Sequence, residues 1–139
     1  MKKPLLLFAI KFSVIMYFAA CTSVENYTGA RSATPIVTKG AWKVNLYRDS
    51  NNDQTNDFAG YTFTFNASGI VKASKNGVDI KGNWAEDNIA NRITINLGVT
   101  DPSLTKLNTN WNIREITNGQ VDLQNNDNPI TDKLNITML

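Results

Sequence analysis

The side chains that most often carry out protein chemistry are scarce in this sequence, which has no histidine and a single cysteine, Cys21. The lack of histidine excludes Ser-His and Cys-His nucleophile pairs, and together with the lone cysteine it excludes the usual zinc ligand sets. Glu86 and Asp87 are adjacent carboxylates, but neighbouring side chains of a strand point apart, and a solvated turn suits them better than acid–base chemistry. We therefore predict that the protein is not an enzyme and holds no cofactor.

The segment before Cys21 has the parts of a secretory signal peptide. Two lysines follow the initiating methionine, residues 12–20 form an apolar run, and the small pair Ala19-Ala20 precedes the cysteine. Such a run lies within the length of about 7–15 residues that is usual for the apolar part of a signal peptide. A membrane-spanning helix needs about 20 apolar residues, and here Lys11 interrupts the run. We predict that residues 1–20 are a signal peptide.

The stretch Ala19-Ala20-Cys21 resembles the lipobox of bacterial lipoproteins. The resemblance implies cleavage just before Cys21 and acylation of its thiol by a fatty acid such as palmitate. Cleavage after Cys21 is the alternative, and it would discard the thiol. A lone cysteine in an exported protein has no internal disulfide partner, and two or more acyl chains give stable membrane attachment. We therefore expect a lipid-anchored protein of the cell envelope, in the outer membrane, on either its periplasmic or its outer face.

An acidic stretch resembles the oxygen ligands of a calcium loop. Asp49, Asn51, Asp53, Thr55 and Asp57 occupy every second position, as calcium ligands do in a helix–loop–helix site. The match fails where such a loop needs a central glycine and a final bidentate glutamate. A polar connection between two strands is therefore the favoured interpretation, a weak calcium site remains the alternative, and no metal site is predicted.

The sequence after the leader divides into a tether and one domain. Residues 21–38 are rich in Ser and Thr and predict a flexible tether, whereas residues 39–139 predict a folded domain. Within the domain, apolar and polar residues alternate with the period of a half-buried strand. In the first strand this places Trp42, Val44 and Leu46 on the buried face and Tyr47 on the other. The alternation recurs in eight segments: 40–49, 61–66, 69–74, 78–84, 92–97, 110–116, 120–124 and 134–139.

The connections between these segments predict an all-β fold of antiparallel strands. Asn76-Gly77 and Asn118-Gly119 are two-residue hairpin signals, for which positive φ angles are expected. Asp101-Pro102 suits the start of one short helix, with Asp101 as its cap. Eight strands joined in sequence close into a small up-and-down barrel, and a two-sheet sandwich is the alternative.

Large aromatic side chains are expected in the barrel interior. They are Trp42, Tyr61, Phe63, Phe65, Trp84 and Trp111. In one interpretation they line a cavity that binds a small apolar ligand. In the other they fill the interior, because an eight-stranded barrel is just wide enough to be packed solid. Any pocket is expected to open where loops 49–58 and 125–132 lie.

The order of these motifs resembles the lipocalin-like lipoproteins of Bacteroidetes. The resemblance runs from Gly40-Ala41-Trp42, the G-x-W signature of lipocalin-like barrels, to the final strand, and covers residues 38–139. It implies an eight-stranded barrel and a ligand-carrier function. In lipocalins an arginine packs over the first tryptophan, and Arg92 and Arg114 are the two candidates for that role.

Charge restricts the classes of partner. The chain has 14 basic and 12 acidic residues, and three of the basic ones lie in the signal peptide. Residues 21–139 therefore carry eleven basic and twelve acidic side chains, a net charge of −1. A nucleic-acid binder needs a basic face, so no nucleic-acid partner is predicted. The expected partners are a membrane, through the lipid, together with a small apolar ligand or, alternatively, an envelope or host protein that the packed barrel binds or inhibits.

Overall fold

The computed structural model describes residues 32–139, so the predictions for the signal peptide and Cys21 lie outside the described residues. Within this range there are two helices, α1 (Thr34–Val37) and α2 (Pro102–Thr105), and one 3₁₀ helix (Thr55–Phe58). The strands are β1 (Ala41–Asp49), β2 (Asn52–Asp53), β3 (Thr62–Phe65), β4 (Ile70–Lys75), β5 (Val78–Asp87), β6 (Arg92–Asn96), β7 (Asn110–Ile116), β8 (Gln120–Asn125) and β9 (Lys133–Met138).

The strands form a closed antiparallel barrel. Each strand from β3 to β9 pairs with the next one in sequence, and β1 pairs with both β3 and β9. The two residues of β2 pair only with the end of β1, so the barrel wall has eight strands. The predicted up-and-down barrel is confirmed, and the two-sheet alternative is excluded.

The two predicted hairpins and the predicted helix are present, and only the positive φ angles expected at Asn118-Gly119 are not found. Asn76 and Gly77 have φ angles of 53° and 78°, as a two-residue hairpin of this type requires. Asp101 caps α2 by accepting hydrogen bonds from the backbone N–H groups of Ser103 and Leu104. The turn 117–119 also joins two paired strands. Neither Asn118 nor Gly119 is among the described residues that have a positive φ angle.

A β-bulge in β1 changes which side chains face the interior. Val44 pairs with Ile136 and Leu46 with Asn135, so Asn45 is an extra residue in the strand. Because one extra residue reverses the alternation, Tyr47 is buried and 5% exposed, while Leu46 lies on the outer face. The prediction that Leu46 points inward and Tyr47 outward is therefore wrong. A second bulge, at Arg114 in β7, has the same effect and turns Ile116 inward.

The barrel has two different ends. At the α1 end, helix α1 precedes β1, and the turns 66–69, 88–91 and 117–119 join strands. At the α2 end lie the connections 50–61, 76–77, 97–109 and 126–132, which contain the 3₁₀ helix and α2. The segment 32–39 at the α1 end is structured, with Ala33, Ile36 and Val37 buried, so the predicted tether overlaps a packed part of the domain.

Gly82 lies in β5 and leaves room for the chain at the end of β6, which passes close to it on the inner side of the barrel wall. A β-carbon at Gly82 would lie 2.0 Å from the carbonyl oxygen of Asn96 and 2.7 Å from the Cα of Leu97. This close approach lets Leu97 enter the core, where it is 2% exposed, and leads the chain to α2. The fold therefore requires a residue without a side chain at this position.

We expect Gly82→Ala to lower the free energy of unfolding by about 3 kcal/mol, the upper part of the usual range for overpacking, because the methyl group meets backbone atoms that cannot move aside. Urea denaturation measures this change. Gly119→Ala is the control, because a β-carbon there has nothing within 4 Å, and we expect a change of less than about 0.5 kcal/mol. Equal losses in the two variants would contradict the role of Gly82.

Candidate functional site

The six aromatic residues predicted to face inward are all buried in one hydrophobic core. Their exposed fractions range from 0% for Trp42 and Trp111 to 8% for Tyr61. The rings contact one another: those of Phe65 and Trp84 meet edge to face, with centroids 5.4 Å apart. The predicted inward orientation is therefore confirmed, and the arrangement is that of a packed core.

The polar atoms of these aromatic residues are bonded within the protein. The indole N–H groups of Trp42, Trp84 and Trp111 donate to the carbonyl oxygens of Val37, Asn66 and Leu107 at 2.8, 2.8 and 3.0 Å. Each bond ties a core side chain to a connecting segment at one end of the barrel. The indoles therefore contribute no free hydrogen-bond donor to a ligand.

The α2 end, where a pocket was expected to open, is covered. The two loops named in that prediction do meet there, because the backbone N–H of Ser50 donates to Asp132 Oδ1 at 2.8 Å. Phe58 of the 3₁₀ helix and Leu104 of α2 are 3% and 0% exposed, so both helices insert apolar side chains into this end. Lys106 joins the two helices by binding Gln54 and the carboxylate of Asp57.

Asp101 and Tyr61 link α2 to the barrel wall. The hydroxyl of Tyr61 donates to Asp101 Oδ2 at 2.5 Å, while Asp101 Oδ1 accepts the two backbone N–H groups of the helix cap. The bond to this carboxylate, together with burial, raises the pKa of Tyr61 to about 12, and the same bond is the main reason that the pKa of Asp101 is lowered. The ammonium of Lys75 lies 4.7 Å from the centre of the Tyr61 ring. These contacts hold the loop that covers the barrel.

At the α1 end of the barrel, the carboxylate of Glu86 binds the start of helix α1. Glu86 accepts hydrogen bonds from the hydroxyl of Ser32, the backbone N–H of Ala33, and both the N–H and the hydroxyl of Thr34. Burial alone would raise the pKa of Glu86, but these bonds outweigh it and lower the pKa below its ordinary value. Because a carboxylate is stabilising at a helix N-terminus, this side chain from β5 serves as the cap that α1 itself lacks.

The acidic residues of loop 49–57 bind other side chains. Asp53 accepts hydrogen bonds from the N–H and the hydroxyl of Thr55, and Asp57 forms an ion pair with Lys106. Within residues 32–139, no group of three His, Cys, Asp or Glu side chains is close enough to hold a metal ion. In the fold this loop connects β1 to β3.

Neither candidate arginine forms a cation–π contact with Trp42 among the described residues. Arg92 pairs with Asp87 at 3.0 Å, and Arg114 borders a groove on the outer face of the barrel. In residues 32–139, the cation–π contact is the one between Lys75 and Tyr61.

Two of the shallow grooves formed by residues 32–139 lie on the outside of the barrel. One, of about 140 Å³, lies beside Leu46, Arg114, Asp122, Lys133 and Asn135. Asn135 is 6% exposed and donates from Nδ2 to Asp122 Oδ1 at 2.5 Å, whereas its own Oδ1 has no partner among the described atoms. The other, of about 300 Å³, borders Glu86, Trp84 and Thr34 at the α1 end. Of the six core aromatic residues, Trp84 borders the second of these grooves and none borders the first.

The comparisons with known proteins support the fold. The chain is similar to the crystal structure of a DUF4847 family protein from Bacteroides vulgatus ATCC 8482, with a TM-score of 0.58 and 16% identity over 76% of this chain and 96% of that chain. At this identity the likeness establishes the eight-stranded barrel alone. A scan against protein-family models gives no match, and neither does a search of the curated proteins. Among residues 32–139, each helix is too short or too polar to cross a bilayer.

We expect Asp101→Ala to lower the free energy of unfolding by about 1–2 kcal/mol, because it removes the cap of α2 and the acceptor of the Tyr61 hydroxyl together. Tyr61→Phe removes only the second bond and should cost less, about 0.5–1 kcal/mol. Urea denaturation of both variants measures the difference. A larger loss in Tyr61→Phe would contradict the dual role of Asp101.

We expect Glu86→Gln to release segment 32–39 from the barrel, because an amide offers one acceptor oxygen and no charge to the four donors. Loss of a charge-assisted contact of about 1.4 kcal/mol corresponds to roughly tenfold faster hydrogen exchange at Ala33 and Thr34. The lowered pKa of Glu86 gives a matching pH dependence. Docking is complete above the ordinary glutamate pKa of about 4.3 and is lost as the pH falls through the lower folded value.

Glu115→Gln is the matched control, since Glu115 lies on the exposed face of β7. We expect unchanged exchange at residues 33 and 34 in that variant. Unchanged exchange in Glu86→Gln as well would show that the buried side chains of α1 hold the segment without help from the carboxylate.

Proposed function

We propose that this is a lipid-anchored protein of the outer membrane that contacts another protein through the loops of its barrel. Of the two functions considered for a lipocalin-like barrel, a packed interaction or inhibitor module is favoured over a carrier of a small apolar ligand. The observation that carries this choice is the bonding of the core indoles. All three indole N–H groups are paired with the protein's own backbone in a core that both barrel ends cover.

A ligand carrier is disfavoured by the shape of the interior. A binding pocket is concave and opens to solvent, with a few polar groups directed at the ligand. Here Val37 is buried at the α1 end and Phe58 and Leu104 at the α2 end, and the aromatic rings contact one another between them. These buried side chains and ring contacts support a filled interior.

The anchor places the barrel close to the membrane. With Cys21 acylated, ten residues separate the lipid from Ser32, where segment 32–39 binds Glu86. Ten residues span at most about 35 Å when fully extended. The α2 end lies at the opposite end of the barrel from this segment, and we propose that it meets the partner.

The α2 end has the properties of a protein contact surface. Its connections are held by Lys106, Asp101 and Asp132, which gives a rigid framework. Three apolar side chains project from these connections and from the β4–β5 hairpin: Val78, Val99 and Ile130, which are 63%, 84% and 82% exposed. Binding residues are often carried on loops that a rigid scaffold positions. An envelope or host protein is the proposed partner, and no catalytic activity is proposed.

Native mass spectrometry of the protein extracted from membranes tests the packed core. We expect the mass of a chain that begins at Cys21 and carries acyl groups, without a further adduct. A retained adduct of defined mass would contradict the packed barrel and support the ligand carrier.

Cys21→Ala tests the anchor separately. We expect the variant to leave the membrane fraction, because it lacks the acyl chains that give stable attachment. Ser23→Ala is the control and should remain with the membranes. A Cys21→Ala protein that stays in the membrane fraction would contradict the lipid anchor.

A further inference from the structure

The β5–β6 turn at the α1 end presents an isoleucine to solvent. Ile89 is 101% exposed, at the tip of the turn 88–91, although turn tips usually carry Gly, Asn, Asp or Ser. The turn is held in one shape, because Asp87 Oδ1 accepts the backbone N–H groups of Ile89 at 3.1 Å and Ala90 at 2.9 Å. Asn91 extends the support by donating from Nδ2 to the carbonyl oxygen of Ile113 at 2.9 Å. The fold thus holds an apolar side chain at a fixed, fully exposed position.

This turn lies beside the point where the chain leaves the barrel towards Cys21. Glu86, which binds Ser32 and Thr34, is three residues before Ile89 in the same strand and turn. Ten residues separate Ser32 from Cys21. A lipid on Cys21 therefore keeps this end of the barrel within about 35 Å of the bilayer, at a local concentration on the order of millimolar.

Two further apolar side chains are exposed at the α1 end. Ile70, at the start of β4, is 45% exposed, and Leu139, which follows β9, is 67% exposed. Leu139 is tied to the start of β1 by its backbone N–H, which donates to the carbonyl oxygen of Ala41 at 2.9 Å. The carboxylates closest to Ile89 in sequence are engaged, since Asp87 pairs with Arg92 and Glu86 binds four donors. They add no unpaired negative charge beside the turn.

From this arrangement we infer that the α1 end of the barrel rests on the lipid surface, with Ile89 inserted among the acyl chains. The inference rests on the proposed lipid anchor and extends it by naming the face of the barrel that meets the bilayer. Ile89 is the main contact because it is the most exposed apolar side chain among residues 32–139 and the turn already holds it in place. The loops of the α2 end then point away from the membrane.

Site-specific fluorescence on the full acylated protein tests this orientation. The protein is reconstituted in vesicles of phosphatidylethanolamine and phosphatidylglycerol that contain spin-labelled lipids, which quench fluorophores in the bilayer. An environment-sensitive label is attached to Ile89→Cys and, as the matched control at the α2 end, to Ile130→Cys. Both positions are exposed, so the substitutions leave the core intact. We expect at least twofold quenching at position 89 and none at position 130.

Hydrogen exchange gives a second test of the orientation that needs no fluorescent label. Hydrogen exchange of the otherwise unmodified acylated protein is compared in vesicles and in detergent. We expect slower exchange in residues 88–91 in vesicles and no change in residues 126–132. Protection or quenching confined to the α2 end would mean that the barrel lies the other way round, which overturns the inference.

Mass spectrometry, which shows whether Cys21 carries acyl chains, distinguishes failure of the inference from failure of the anchor. If mass spectrometry finds acyl chains on Cys21 while position 89 is unquenched and unprotected, the anchor stands and the membrane contact is overturned. Ile89 would then be free for a protein partner. If Cys21 carries no acyl chain, the proposed anchor fails, and the inference that rests on it falls as well.

Discussion

The structure depends on the pairing of β1 with strands on both of its sides. Its first residues pair with β3, and most of its length pairs with β9, which turns a sequential sheet into a closed wall. Closure removes the free edges that an eight-stranded sheet would otherwise expose. It also fixes the width of the interior, and this width determines which side chains the core accepts. The extra residue Asn45 in β1 allows the strand to bend while it keeps its pairing with β9.

A core of fixed width must be filled from the wall and from the ends. The six aromatic side chains lie in the barrel interior, and apolar residues of the short helices complete the packing at both ends. The three indole bonds join these two parts, because each runs from a wall residue to the carbonyl oxygen of an end segment. Removing such a bond would leave a buried polar group without a partner. The polar groups of the core therefore fix the positions of the end segments.

The strands and the inward aromatics could be predicted from sequence because they depend on local alternation and turn residues. The bulges at Asn45 and Arg114 could not, since the same alternation continues through them and only the partner strand reveals the extra residue. Helix α1 was missed for a related reason. Its four residues carry no capping side chain of their own, and its cap, Glu86, comes from a distant strand. The pair Ile36-Val37 just before the G-x-W signature was the available signal that this segment is packed.

The pairing of the first strand with the last also determines when the protein can fold. During synthesis β1 emerges before the other strands, and the partner for most of its length, β9, is the last of the described strands to appear. Contacts between distant parts of a chain form slowly, because the entropy cost of closing a long loop comes before the contacts stabilise the fold. The barrel therefore remains open until the whole chain is available. Under the proposed export of the chain, this order would keep it unfolded until its last strand has crossed the membrane.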